Sequence, residues 1–128
     1  MKLLLDTCTF LWLALDSPRL SARARSVFRD PANTVYLSSV SVWEIAVKHA
    51  LGRLPIPEPV ERFVPDQREA HGILSLPLSE SAALHIAKLP NLHSDPFDRM
   101  LVAQALVDGF TILTPDEAIT QYPARVLW

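Results

Sequence analysis

"TVYLSSVSVWEIAVKHALGR", residues 34–53, contains a complete strand-then-helix unit. Its opening, "TVYLSS" (34–39), is rich in β-branched and aromatic residues and reads as a strand. Ser41 then opens, and Gly52 closes, a stretch that suits a helix over 41–53. Ser41-Val42-Trp43-Glu44 has the spacing of a capping box, in which the Glu44 side chain returns to the Ser41 amide. A strand feeding a helix at once is the half-unit from which parallel sheets are built.

The rest of the chain repeats this alternation. Upstream, "KLLLD" (2–6) is an apolar run that reads as a buried strand. "TFLWLALD" (9–16) reads as a short helix stopped by Ser17-Pro18, and "LSARARSVFRD" (20–30) as a helix capped by Ser21. Downstream, "PIPEP" (55–59) cannot be regular structure, because its prolines remove backbone donors and fix φ. Helical sequence follows to about Gly72, with a break expected at Pro65; "ILSLP" (73–77) is the third strand. "SESAALHIAKL" (79–89) is a helix capped by Ser79, and another helix spans 97–108 and stops at Gly109. "TILT" (111–114), "DEAITQY" (116–122) and "RVLW" (125–128) give a strand, a short helix and a last strand. The expected class is α/β, a central parallel sheet with helices on both faces. Either side of the proline run is too short to bury its own core, so residues 1–128 read as one domain.

Composition removes several function classes. With 49% hydrophobic and 20% charged residues, the chain suits a compact globule rather than a disordered one. No apolar run approaches the ~20 residues needed to span a bilayer, so no membrane partner is expected. The start resembles a signal peptide, but Asp6 interrupts the apolar run and no small-residue cleavage site follows; we read it as mature structure. The single Cys8 excludes an intramolecular disulfide, fits a reducing cytoplasm, and is expected as a small buried residue. Net charge is −2, yet residues 1–64 carry eight Lys/Arg against six Asp/Glu and residues 65–128 four against eight. That asymmetry suits either an acidic site opposite a basic, polyanion-facing half, or ordinary surface scatter.

The acids fall at a telling place. Asp6 ends the first strand; Glu44 lies in the first turn of the helix after the second strand; Asp98 lies in the first turn of helix 97–108; Asp116 starts the helix after "TILT". In open α/β sheets the carboxyl ends of strands and the following helix N-termini share one rim, where ligands bind. Asp95 makes a possible fifth. Each has an innocent alternative: Asp95 before Pro96 is a good N-cap, Asp98 complements a helix dipole, Glu44 fits the capping box, and Asp116 can cap its own helix. Asp6 has no cap pattern and would leave a charge at the edge of the core, which is costly unless paired or metal-bound. Clustered carboxylates call for a hard divalent cation, Mg²⁺ with Mn²⁺ as a substitute; Cys8 and four scattered histidines show no zinc spacing. Such a cluster suits hydrolysis of a phosphodiester by a metal-activated water. No nucleophile elbow, Walker A or dinucleotide fingerprint occurs.

Four segments carry a family resemblance: "LLLD" at the first strand, "SVWEIAVK", "HSDPFDRMLVAQAL" (93–106), and "TPD" closing a late strand. Together, in this order, they resemble a PIN domain, and most closely the VapC-type toxins of bacterial toxin–antitoxin pairs. The resemblance implies a Mg²⁺-dependent endoribonuclease of the cytoplasm, with Asp6, Glu44, Asp98 and Asp116 as the acidic quartet. It implies Asp6 and Asp98 as principal metal ligands, Asp95 and Thr114 in support, a cognate antitoxin as partner, and PIN–PIN homodimers. The rival reading is a PIN-fold protein that binds RNA or a partner with little or no cleavage. Receiver-like and haloacid-dehalogenase-like readings fail, the first for want of a Lys after "TILTPD", the second because position 8 is Cys.

Other residues have two readings. Trp43 reads as core packing rather than a base-stacking platform. His93 either contacts substrate or braces its loop. Arg99 could bind phosphate or a partner chain, with a surface salt bridge as the default. Arg19, Arg23, Arg25 and Arg29, spread around one helix, read as a solvated face. Without the quartet ten acids stand against twelve Lys/Arg, so the body is mildly basic and RNA remains a possible substrate.

Overall fold

Leu3, Leu4 and Leu5 are all fully buried, although successive residues of a strand point to opposite faces. Both faces of the sheet are therefore covered. Leu3 and Leu5 enter one apolar cluster with Phe10, Leu37, Ile45 and Phe63, whereas Leu4 enters the other with Leu101, Val102, Ile112 and Ile119. Continuous apolar strands of this kind belong in parallel sheets sandwiched by helices.

The computed structural model describes residues 1–128. Five strands form one parallel sheet: β1 (Lys2–Leu5), β2 (Thr34–Ser38), β3 (Leu74–Leu76), β4 (Thr111–Leu113) and β5 (Arg125–Leu127), in the order β3-β2-β1-β4-β5. The helices are α1 (Thr7–Ala14), α2 (Ala22–Arg29), α3 (Ser39–Ala50), α4 (Val60–Ala70), α5 (Glu80–His85), α6 (Pro96–Asp108) and α7 (Glu117–Thr120), with a 3₁₀ turn at Ile86–Lys88. The α/β class and every strand expected from sequence are present, and Ser21 and Ser79 cap α2 and α5 as their positions suggest. The "PIPEP" segment lies outside any helix or strand.

Two local expectations are corrected. The helix after β2 starts at Ser39, because Ser38, not Ser41, caps it by accepting from the Val40 amide at 3.0 Å. Ser41 thus lies inside the first turn, buried, with a hydroxyl that finds no partner. Pro65 does not break α4, which runs through it. An interior proline costs about 3 kcal/mol; burial of the neighbouring Phe63 and Val64, at 1% and 2% exposure, offsets that loss.

Helix α6 ends as its sequence suggests. Gly109 takes the left-handed conformation (φ 74°, ψ 42°), and its amide donates to the Ala105 carbonyl at 2.9 Å. No heavy atom lies within 4 Å of a Cβ placed there, so Gly109→Ala meets backbone strain alone. We expect it to cost about 1 kcal/mol by chemical denaturation, with an unchanged m-value.

Candidate active site

The strand order reverses direction at β1: the chain proceeds outward through β2 and β3, then returns to the opposite side of β1 for β4 and β5. The crevice at the carboxyl ends of β1 and β4 is the switch point where such sheets bind ligands. Leu5 and Leu113 are cross-strand partners, so Asp6 and Thr114, one residue further along each strand, emerge side by side at that crevice.

Asp6 is 4% exposed and tightly held. One carboxylate oxygen accepts from the Thr9 amide at 2.8 Å, making Asp6 the N-cap of α1, a role its sequence context did not announce. The other accepts from Thr114 Oγ1 at 2.5 Å, and Thr114 Oγ1 in turn accepts from the Asp116 amide at 3.0 Å. Thr114 therefore links two acids through one hydroxyl. Burial raises the Asp6 pKa above the usual carboxylate range, against the lowering effect of the Thr114 and Thr9 bonds; the charge of Asp116 adds to the rise.

Glu44, 5% exposed, is not part of a capping box. Its Oε1 accepts from Thr7 Oγ1 at 2.6 Å, and its Oε2 pairs with Lys48 one turn along α3. The capping explanation fails because the helix begins three residues earlier than a Ser41 N-cap implies, so Glu44 meets Thr7 of α1 instead of its own N-terminus.

On α6, Asp95 is the N-cap, accepting from the amides of Phe97 and Asp98 at 2.9 and 3.1 Å. Asp98, with a side chain 17% exposed, receives His93 Nε2 at 3.3 Å. Burial, then the charge of Asp95, pushes its pKa up to about 6; Asp116 and Glu44 add to this while His93 opposes it. Asp116 caps α7 by accepting from the Ala118 amide at 2.9 Å. Asp116 acts electrostatically on both Asp6 and Asp98, and Glu44 on Asp98, so a chain of three repulsive pairs links the four acids.

The donor set suits a hard cation. No three Asp, Glu, His or Cys side chains form a closed metal cage. Magnesium does not need one, since it keeps several waters and takes one or two carboxylates. Asp6 and Asp98 are partly or fully buried, are pushed toward protonation by burial, and neither is paired with a Lys or Arg. A divalent ion with oxygen preference would relieve both conditions.

The surroundings correct three expectations. Trp43 is 56% exposed rather than in the core, and meets Phe97 edge-on with ring centroids 4.9 Å apart. Cys8 is exposed, and partial cover of its thiol, followed by the charges of Asp6 and Glu44, raises its pKa to about 11, so it is protonated near neutrality. Arg99 makes no salt bridge with a carboxylate: it donates to the Pro90 carbonyl at 3.0 Å and to Tyr122 Oη at 2.9 Å. His93 Nδ1 also meets Tyr122 Oη, at 2.7 Å. His93 and Arg99 thus brace the loop before α6 around a buried tyrosine, and His93 orients Asp98 as well. Thr7, Lys48 and Tyr122 were missed in the sequence. Only Lys48 left a signal there, its i,i+4 spacing from Glu44.

The PIN domain family model matches residues 3–124. The chain belongs to the PIN domain family. Among curated proteins, this PIN domain is 39% identical to Ribonuclease VapC16 of Mycobacterium tuberculosis over 72 residues, 53% of the chain and 51% of that protein. The match thus spans about half the length of that relative. Among solved structures, VapBC2 from Rickettsia felis bound to a DNA fragment from their promoter aligns with a TM-score of 0.73 and 13% identity, covering 99% of this chain and 98% of the other. VapBC-1 from nontypeable Haemophilus influenzae aligns at 0.69 and 18% identity, covering 99% and 97%. DNA-bound VapBC from Salmonella typhimurium aligns at 0.68 and 18% identity, covering 99% and 97%. At such identities the likeness is one of fold. No helix of this PIN domain is long and apolar enough to cross a membrane.

Proposed function

We propose that this PIN domain is a metal-dependent endoribonuclease, the toxin component of a bacterial type II toxin–antitoxin pair. The reading includes Mg²⁺ as the working ion with Mn²⁺ as a substitute, a cytoplasmic location, a cognate antitoxin and a homodimer. One observation carries it. Asp6, Glu44, Asp98 and Asp116 gather at the β1/β4 switch point with mutual repulsion that the chain's own cations relieve only at Glu44. The ribonuclease relative and the VapBC-like fold support the same reading.

In this assignment Asp6 and Asp98 hold the ion. When bound by these two carboxylates, a divalent ion would supply positive charge to a phosphate oxygen and lower the pKa of a water so that its deprotonated form is available to attack phosphorus. Thr114 fixes the Asp6 carboxylate and the backbone at Asp116, so that these two acids keep their separation. Thr7 and Lys48 hold Glu44 in one rotamer beside α1, and His93 restrains Asp98. These contacts hold the carboxylates in fixed positions before substrate arrives, and most of the electrostatic benefit of such a site arises from that preorganisation. Asp95 adds negative charge beside Asp98 while its own oxygen remains committed to the helix cap.

The test is cleavage of single-stranded RNA by protein freed of any antitoxin. Mg²⁺ or Mn²⁺ should support cleavage, and EDTA should lower it by at least ~100-fold, about 2.7 kcal/mol of transition-state stabilisation. Full activity after thorough demetallation would rule out the mechanism. Tight RNA binding without any cleavage in Mg²⁺ would instead support the binding-protein reading.

A further inference from the structure

Lys48 is the single Lys or Arg that pairs with a carboxylate of the candidate site, yet it is more open than its partner: its side chain is 42% exposed and that of Glu44 is 7% exposed. An ammonium carries three N–H donors. Lys48 donates one to Glu44 Oε2 and makes no other hydrogen bond within the protein. Its remaining donors have no partner within the protein, on a side chain that is partly open to solvent. Its charge also acts on Asp95, at the start of α6, and on Cys8, in α1. Lys48, one turn beyond Glu44 on α3, therefore pairs with an acid of the candidate site and lies within electrostatic reach of α1 and of the start of α6. Any phosphate approaching that site meets carboxylates first unless a cation receives it. A compact point charge on a flexible stem is suited to that task.

We propose that Lys48 is a substrate-binding residue that receives a backbone phosphate of the RNA at the mouth of the site. The proposal rests on the ribonuclease reading above. It adds to that reading a contact made by the chain itself, independent of the ion. Glu44 Oε2 accepts one N–H of the ammonium, and the other N–H groups donate to a non-bridging phosphate oxygen. The competing explanation is that Lys48 only neutralises Glu44.

Binding measured in a Glu44→Gln background separates the two. A fluorescent single-stranded RNA is titrated in Mg²⁺ against wild type, Glu44→Gln, Glu44→Gln/Lys48→Met and Glu44→Gln/Lys48→Arg, with anisotropy read at several salt concentrations. The Glu44→Gln background slows cleavage and removes the charge that Lys48 would otherwise neutralise. Adding Lys48→Met should then weaken binding roughly tenfold and make the slope of log K against log salt shallower by about 0.7, the loss of one phosphate contact on a single strand. Adding Lys48→Arg should retain most of the affinity. Equal affinity and equal slope for Glu44→Gln and Glu44→Gln/Lys48→Met would overturn the proposal while leaving the nuclease reading standing. Failure of wild type and Glu44→Gln alike to bind RNA would overturn both. A Lys48→Met chain that does not fold is replaced by Lys48→Gln, with the same outcomes.

Discussion

Asp98→Asn is expected to fold and to lose RNA cleavage by ~100- to 1000-fold, a cost of about 2.7–4 kcal/mol in the transition state. The substitution keeps the shape of the side chain and leaves the Asp95 cap of α6 intact. It removes one of the two carboxylates assigned to the ion. Stability should move the other way. In metal-free protein, Asp98 has a folded pKa of about 6 against an ordinary value of 3.8. The folded chain therefore binds this proton more readily than the unfolded one, and the ionised group destabilises the fold. That penalty is full above pH 6 and fades as pH falls toward 3.8. Asn carries no such penalty. Without metal at neutral pH, Asp98→Asn should melt above wild type, and the two curves should converge as the buffer is acidified through that window. Divalent ion should raise the wild-type melting temperature and leave that of the variant nearly unmoved, since only a ligand bound to the native state stabilises it. A variant that cleaves at the wild-type rate would remove Asp98 from the site.

Glu44→Gln is the second large effect, a fall in cleavage of at least ~100-fold. The amide can still accept from Thr7 through its oxygen, so the contact to α1 survives. What is lost is a negative charge and the ion pair with Lys48. Lys48 is open enough to turn to solvent, and a partly exposed ion pair is worth little, about 0–1 kcal/mol. Melting should therefore change by only a few degrees while single-turnover cleavage collapses. Normal cleavage by a normally folded Glu44→Gln chain would make Glu44 a structural brace between α1 and α3.

The fold was legible because its signals are local. "KLLL" and "TIL" are apolar without interruption, which only a strand buried on both faces needs, and Pro96 and Gly109 bracket α6 by backbone chemistry that acts within a few residues. Asp6, Glu44, Asp98 and Asp116 were also legible as candidates, because strand ends and helix starts share one rim in this architecture. Local patterns misled at Ser41, where a capping-box spacing competed with Ser38, whose hydroxyl sits in better register with the end of β2. They misled again at Trp43, since one helix pattern cannot say whether another element covers a given face. The contacts that give the acids their character are long-range: Thr114 to Asp6 across 108 residues, Thr7 to Glu44 across 37, Tyr122 to His93 across 29. The strand–helix alternation, the buried sheet and the identity of the acids were readable along the chain, because periodicity and capping depend on neighbours in sequence. Which hydroxyls hold those acids, which acids lack a cation, and how open Lys48 stays beside Glu44 emerged from the three-dimensional packing, because burial and charge depend on neighbours in space.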